Sequence, residues 1–179
     1  INASRYSNSL NSFSLTARTR QLEVLLVNRA QAMFRSDENG RNLVREAISY
    51  AINRSEIISS AYQGMATVAY SPVPAGTWLS NETTIRDIYD PLMAASLLDS
   101  AGYQLADDGK RYKDGVQLEG LRLQVYDEPG STARTNAANK IKEQLEAVGF
   151  TVTVATMSRD SVLSNLMNGN YFIALCGFN

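Results

Sequence analysis

The sequence predicts an α/β protein with a mixed sheet flanked by helices. Three observations carry that prediction. LEVLLVN at residues 22–28 is apolar enough for a strand buried on both faces, and YFIALCGF at 171–178 reads as a final buried strand. GLRLQVY at 120–126 alternates cleanly, with Leu121, Leu123 and Val125 inward, and FTVTVAT at 150–156 reads as a further strand. Helical segments with capping residues separate these stretches, so strands and helices alternate through the second half.

The elements follow in order. Residues 1–11 are polar and expected to be loose, and SFSLTA at 12–17 alternates weakly through Phe13, Leu15 and Ala17. After the first strong strand, SDENG makes a loop in which Ser36 or Asp37 can cap a helix holding Arg41 to Ala51. Within VREAISYAINRSEII, residues 44–58, Val44, Ala47, Ile48, Ala51 and Ile52 share one helical face. Asn53 suits an N-cap, and Glu56 stands three residues on, as in a capping box. Ile57, Ile58, Ala61 and Tyr62 then carry a second apolar face. Arg45 and Glu46 fall off the stripe and are expected in water, while Tyr50 and Tyr62 are expected to pack between helices.

Residues 66–80 (ATVAYSPVPAGTWLS) are expected to be extended, because Pro72 and Pro74 forbid helix, with Trp78 anchoring the segment to the body. Asp90 and Pro91 start a helix whose inner side is Leu92, Ala95, Leu97, Leu98 and Ala101, with Gly102 as its C′ residue. Two Asp-Gly turns in DDGKRYKDGVQL, residues 107–118, predict a small polar hairpin. Ser131 or Thr132 caps a helix reaching Val148, with Ala137, Ala138, Ile141, Leu145 and Val148 on its apolar face and Gly149 as stop. A short helix capped near Ser158 runs to Met167.

Bulk properties narrow the function. The chain has 179 residues, long enough for one sizeable domain, and 44% hydrophobic with 20% charged residues is ordinary for a soluble globular protein. A formal net charge of −1 and the lack of a basic stripe give no reason to expect nucleic acid or an anionic membrane as partner. No apolar run is long enough to span a bilayer, and residues 1–20 lack a signal-peptide pattern. The single cysteine, Cys176, excludes an internal disulfide. With no histidine, neither a Ser–His–Asp or Cys–His nucleophile nor an imidazole zinc site can be assembled. Neither a GxGxxG nor a GxxxxGK[ST] loop is present, and no cofactor is expected.

Taken in order, these segments resemble one family. VREAISYAINRSEII resembles the Val-Arg-x-Ala, apolar stretch and Ala-Ile-Asp-Arg-x-x-Ile of the family 5 solute-binding proteins of ABC importers, the dipeptide, oligopeptide and nickel-binding group. Ser71-Pro72-Val73-Pro74 with Gly76 and Trp78 is similar to the proline segment that follows it. Ala94, Leu97, Leu98, Ala101, Gly102 and Tyr103, then Asp108-Gly109 and Gly115, are similar to the family's helix and hairpin. Ile141 to Leu145 with Gly149, and Gly169-Asn170-Tyr171 through Gly177-Phe178, complete the resemblance, which runs from about residue 22 to the end. Some positions depart from it: Asn53 stands for the usual Asp, Phe172 for a frequent Asp, Phe178 for a frequent Trp, and Leu175 where some members have a carboxylate-binding Arg.

The resemblance implies a lobe of the type II periplasmic-binding-protein kind. Residues 1–21 are then a lead-in from the hinge side and 22–179 the second lobe of a two-lobed protein, with the first lobe and signal sequence outside this sequence. It further implies an extracytoplasmic protein, periplasmic or lipid-anchored at the cell surface. Its partners would be a peptide or similar small solute and ABC permease subunits, and the lobe alone would be monomeric. Loops at strand ends are the natural cleft. The ligand-binding candidates are Tyr126, Asp127 and Glu128 after one strand, Met157 after the next, and Cys176, Gly177 and Phe178 at the last. The structural alternatives are core packing for Phe178 and Cys176, and turn formation for Asp127 and Glu128. A ligand-sensing domain from the same family, and a carboxylate hydrolase using Asp107 with Asp108 or Asp127 with Glu128, are the competing functions. Adjacent carboxylates do not converge on one substrate atom, so no enzyme is expected.

Overall fold

The computed structural model describes residues 21–36, 40–69, 71 and 89–178. The expectations for residues 12–17, for Asp37 and for Pro72 to Trp78 lie outside them. Four strands build the main sheet: β1 (Leu22–Val27), β5 (Leu121–Val125), β6 (Val152–Thr156) and β7 (Ile173–Phe178), in the order β1-β7-β5-β6. β5 runs parallel to both β6 and β7, whereas β1 is antiparallel to β7, so the sheet is mixed as expected. Helix α4 (Ala133–Glu146) connects β5 to β6, and α5 (Arg159–Asn168) connects β6 back past β5 to β7. Parallel crossovers are right-handed, so reversing the direction of travel puts the two helices on opposite faces. The cores divide accordingly. Leu123, Val125, Ile173 and Leu175 join the large cluster with α4, while Tyr126, Ala174 and Cys176 join Val162 of α5.

β1 differs from its expectation. Leu25 and Val27 pack on the large core and Leu26 on the smaller one, yet all six residues are only half-buried. The reason is its place at the end of the strand order.

The helix pair is α1 (Leu43–Ala51) and α2 (Arg54–Ala61). Asn42, not Ser36, caps α1: its Oδ1 accepts from the Arg45 N–H at 2.7 Å, while its Nδ2 donates to the carbonyls of Met33 and Arg35. An amide both accepts and donates, so Asn42 caps the helix and holds the preceding turn. Asn53 caps α2 by accepting from the Glu56 N–H at 3.0 Å. The return half of the expected capping box is replaced. The Asn53 N–H goes to Gln144 Oε1 of α4 at 3.1 Å, and Gln144 Nε2 donates to Glu56 Oε2 at 3.0 Å. Those bonds hold the Glu56 carboxyl below its usual range, Gln144 first and Lys140 second. Arg45 is half-buried rather than wet, and Glu46 pairs with Arg41 at 2.7 Å. Tyr50 and Tyr62 pack against the large core as expected.

Helix α3 (Pro91–Ser100) packs on α1, and Asp90 Oδ1 accepts from the Met93 N–H at 2.9 Å. Its buried residues are Ala94 and Leu98, and Leu92 is 82% exposed instead of inward. Two positions from Ala94 at 3.6 residues per turn, Leu92 falls on the far side. The hairpin is larger than expected, a three-stranded meander of β2 (Gln104–Leu105), β3 (Arg111–Lys113) and β4 (Val116–Gln117). Asp114 and Gly115, both at positive φ, make the two-residue turn that matches strand twist.

The polar strand β3 hides a structural cation. Arg111 is 2% exposed, donates to the carbonyls of Val148 and Tyr103 at 2.7 Å each, and pairs with Asp99 at 2.6 Å. It lies against Gly149, where φ is +96° and an added Cβ would stand 2.8 Å from Arg111 Cγ. Arg111→Ala should therefore cost about 3 kcal/mol, because it empties the site and leaves both carbonyls unpaired. Urea denaturation should show a lower midpoint at an unchanged slope.

Candidate functional site

The three parallel strands end on one edge, at Val125, Thr156 and Phe178, and antiparallel β1 begins there at Leu22. In open sheets of this kind ligands sit beyond the carboxyl ends of the strands. All seven candidates lie on or just beyond this edge. The structure brings Tyr126, Glu128 and Gly177 together around one further residue, Arg134 in the first turn of α4.

Arg134 is 3% exposed and nearly saturated with acceptors. Its Nε and Nη2 donate to both oxygens of Glu23 at 2.8 and 2.7 Å, a bidentate pair. Nη2 also reaches Glu128 Oε1 at 3.1 Å, and Nη1 donates to the Tyr126 carbonyl at 2.9 Å. The guanidinium stacks on the Tyr126 ring, 4.2 Å from its centre. With Glu23 as the main cause, its pKa is driven still further above the ordinary arginine range. The fork is occupied internally, so Arg134 organises this edge and is not free to receive a ligand carboxylate.

The remaining candidates have distinct positions. The Tyr126 hydroxyl lies 3.2 Å from the Gly177 carbonyl and 3.3 Å from the Gly177 N–H, beyond the point where β5 pairs with β7. Asp127 Oδ1 accepts from the Thr135 hydroxyl at 2.8 Å and its N–H at 3.3 Å, thereby capping α4. Glu128 is tied to Arg134. Met157 is partly buried against the smaller core, and its sulfur lies 3.8 Å from Asn165 Nδ2. Cys176 is fully buried there, and burial raises its thiol pKa. Gly177 lies under the guanidinium: an added Cβ would fall on Arg134 Nη2 and come within 2.9 Å of Glu23 Oε1. Phe178 is 45% exposed and offers an apolar surface to the edge.

Sequence reading missed Arg134 and Glu23, although a signal existed. Extending the α4 stripe of Ala137, Ala138 and Ile141 one turn back lands on Arg134. A charge on an apolar stripe needs a counter-charge, and Glu23 is the lone charge in LEVLLV. Beside this pair, Tyr62 keeps a buried hydroxyl with no hydrogen-bond partner among the described residues. Burial first and the Glu23 carboxylate second push its pKa up to about 12. No group of three metal-ligating side chains occurs among the described residues. A groove between α2 and α4, lined by Ser60, Ala61, Asn136, Asn139, Lys140 and Glu143, is open to solvent and contains none of the seven candidates.

A family model described as bacterial extracellular solute-binding proteins, family 5 Middle, matches residues 5–179. The chain belongs to this family. The dipeptide-binding protein of Escherichia coli is 24% identical over 139 residues, 75% of this chain and 23% of that protein. Heme-binding protein A of Haemophilus influenzae is 42% identical over 60 residues, 34% of this chain and 11% of that protein. The oligopeptide-binding protein AppA of Bacillus subtilis, solved in complex with a nonapeptide, has the same fold. Its TM-score is 0.77 at 23% identity, covering 88% of this chain and 31% of AppA. This family 5 chain thus spans less than a third of the length of these proteins.

Two consequences can be measured. Gly177→Ala should lower stability by about 2 kcal/mol by displacing the guanidinium. Combined with Arg134→Ala it should add almost nothing further, a non-additivity readable from denaturation midpoints. Tyr62 binds its proton more tightly folded than unfolded, so its contribution is complete below pH 10 and fades as pH rises toward 12. Tyr62→Phe should be neutral or slightly stabilising at pH 7. It should also flatten the alkaline decline relative to wild type in parallel melts.

Proposed function

We propose that the chain forms the second lobe of a two-lobed solute-binding component of an ABC importer, capturing peptide or a similar small solute between the lobes. The observation that carries this reading is the register of β1 and β7. It sets Leu22 opposite Phe178 on the edge where the parallel strands end and the candidates gather, the edge over which a second lobe would close. Residues 22–179 would be the lobe and 1–21 the lead-in. Ligand would lie across this edge and be enclosed when the lobes close about a hinge. Gly177 and Phe178 would offer backbone and an aromatic face, and the outer oxygens of Asp127 and Glu128 would set the polarity of the rim.

Membership in a family of extracellular solute-binding proteins supports an extracytoplasmic place, delivery to a membrane permease and a non-catalytic role. The state of the carboxylates supports the last point. Asp108 accepts from the Lys110 N–H and the Tyr112 hydroxyl, which hold its pKa down, and Asp127 and Glu128 are engaged with Thr135 and Arg134. None is an idle acid facing an idle base. Peptide is the first ligand to try, since the E. coli relative is a dipeptide-binding protein and AppA was solved with a nonapeptide. The heme-binding relative adds heme as the contrasting probe.

A half-cleft removes little of a ligand from water. Calorimetry with dipeptide, nonapeptide and heme should show one of them bound by the full-length protein and at least about 100-fold more weakly by the 179-residue chain. Equal, tight binding by the chain alone would overturn the two-lobed reading.

A further inference from the structure

We propose that Asn168-Gly169, at the junction of α5 and β7, is a site of spontaneous deamidation, and that the isoaspartate formed there opens the seam between β1 and β7. Two Asn-Gly pairs occur in the sequence, and the asparagine of the other, Asn39, lies outside the described residues. Asn168 is the last residue of α5 and is exposed, as are Gly169 and Asn170. Among the described residues its Nδ2 is held only by Ser164 Oγ, at 3.3 Å. Gly169 turns the chain out of the helix at φ +72°. Its N–H is shared between the carbonyls of Asn165 and Leu166, the second at 3.3 Å. An added Cβ at Gly169 would meet nothing within 4 Å, so no neighbour crowds its nitrogen.

The reaction needs these two residues and water. The Gly169 backbone nitrogen gives up its proton and attacks Asn168 Cγ. The new N–Cγ bond closes a succinimide ring, and the Cγ–Nδ2 bond breaks as ammonia leaves with that proton. Water then opens the ring at either carbonyl. Breaking N–Cγ gives aspartate, and breaking the bond from the nitrogen to the main-chain carbonyl carbon gives isoaspartate, whose backbone is one methylene longer. Ring closure requires Asn168 to leave its helical ψ, and the final turn of a helix frays at small cost.

Position decides what the product does. The carbonyls that follow Asn168 are tied to side chains from elsewhere. Asn28 Nδ2 donates to Gly169 at 3.0 Å and to Tyr171 at 2.8 Å, Gln31 Nε2 to Tyr171 at 3.1 Å, and Gln124 Nε2 to Asn170 at 2.8 Å. The Asn28 N–H donates to the Phe172 carbonyl at 2.9 Å, just beyond the Val27–Ile173 pair. An extra methylene at position 168 displaces Gly169 from Asn28 and breaks this set at its first member. Either product also places a carboxylate at the negative end of the α5 dipole. The junction is at the opposite end of β7 from Phe178, so the candidate edge is left intact.

The test incubates the full-length protein at pH 8 and 37 °C until a synthetic peptide of residues 164–172 is fully converted, then maps its peptides by mass spectrometry. The expected result is the mass gain of acid over amide at position 168, with isoaspartate exceeding aspartate. Hydrogen exchange at Asn28 and residues 171–173 of the converted protein should be about tenfold faster. Asn168→Ala, which cannot form the ring, should keep its exchange pattern through the same incubation. An unconverted Asn168 once the peptide is spent overturns the site. Conversion without faster exchange at Asn28, or equal loosening of incubated Asn168→Ala, overturns its effect on the seam.

Discussion

The handedness of the parallel crossover is the constraint from which the rest of this structure follows. β5 lies inside the sheet, and the chain leaves it in one direction through α4 and returns past it through α5. Because each crossover turns the same way, the helices cover opposite faces. Both faces of β5 and β7 must then be apolar or internally satisfied, and the parallel strands must end on one edge. The same rule that places Leu123 and Ile173 in one core and Tyr126 and Cys176 in the other also gathers the candidate residues.

The buried polar side chains occupy the seams that this arrangement leaves open. Arg111 joins the meander to the end of α4, Gln144 completes the cap of α2 from a distant helix, and Asn28 closes the turn before β7 through the carbonyls of Gly169 and Tyr171. Gln124, only 1% exposed, accepts from Asn165 and donates to the Asn170 carbonyl. Each of these groups meets backbone that regular structure leaves unpaired, which is why each is tolerated inside. Arg134 is the member of this class that stands at the edge where the candidates gather.

Much of this was legible in the sequence, because the relevant signals were local. Apolar spacing and capping residues such as Asn53, Asp90 and Ser158 located the helices, and alternation located β5. Where expectations failed, a distant partner had intervened. Gln144 took over half of a capping box, and Asn42 displaced Ser36 because it could also hold the turn at Met33 and Arg35. Leu92 looked like core in a sequence count but stands on the outer side of α3. The positions of the seven candidates were legible from the strand ends, but the residue that organises them was not. Glu23 and Arg134 are separated by 111 residues, and no periodicity connects them. Composition registered both only as ordinary charges.

The pairing of β1 with β7 also bears on how the chain acquires its shape. The side chain of Asn28 reaches Gly169 across 141 residues, so the outer seam of the sheet closes only when β7 is available. Contacts of such long range make a domain slow to fold, because loop entropy is lost before any pairing compensates for it. During synthesis β1 emerges well before β7 and waits for it. A sheet arranged in this way commits late, and its outer seam stays open for as long as β7 is withheld.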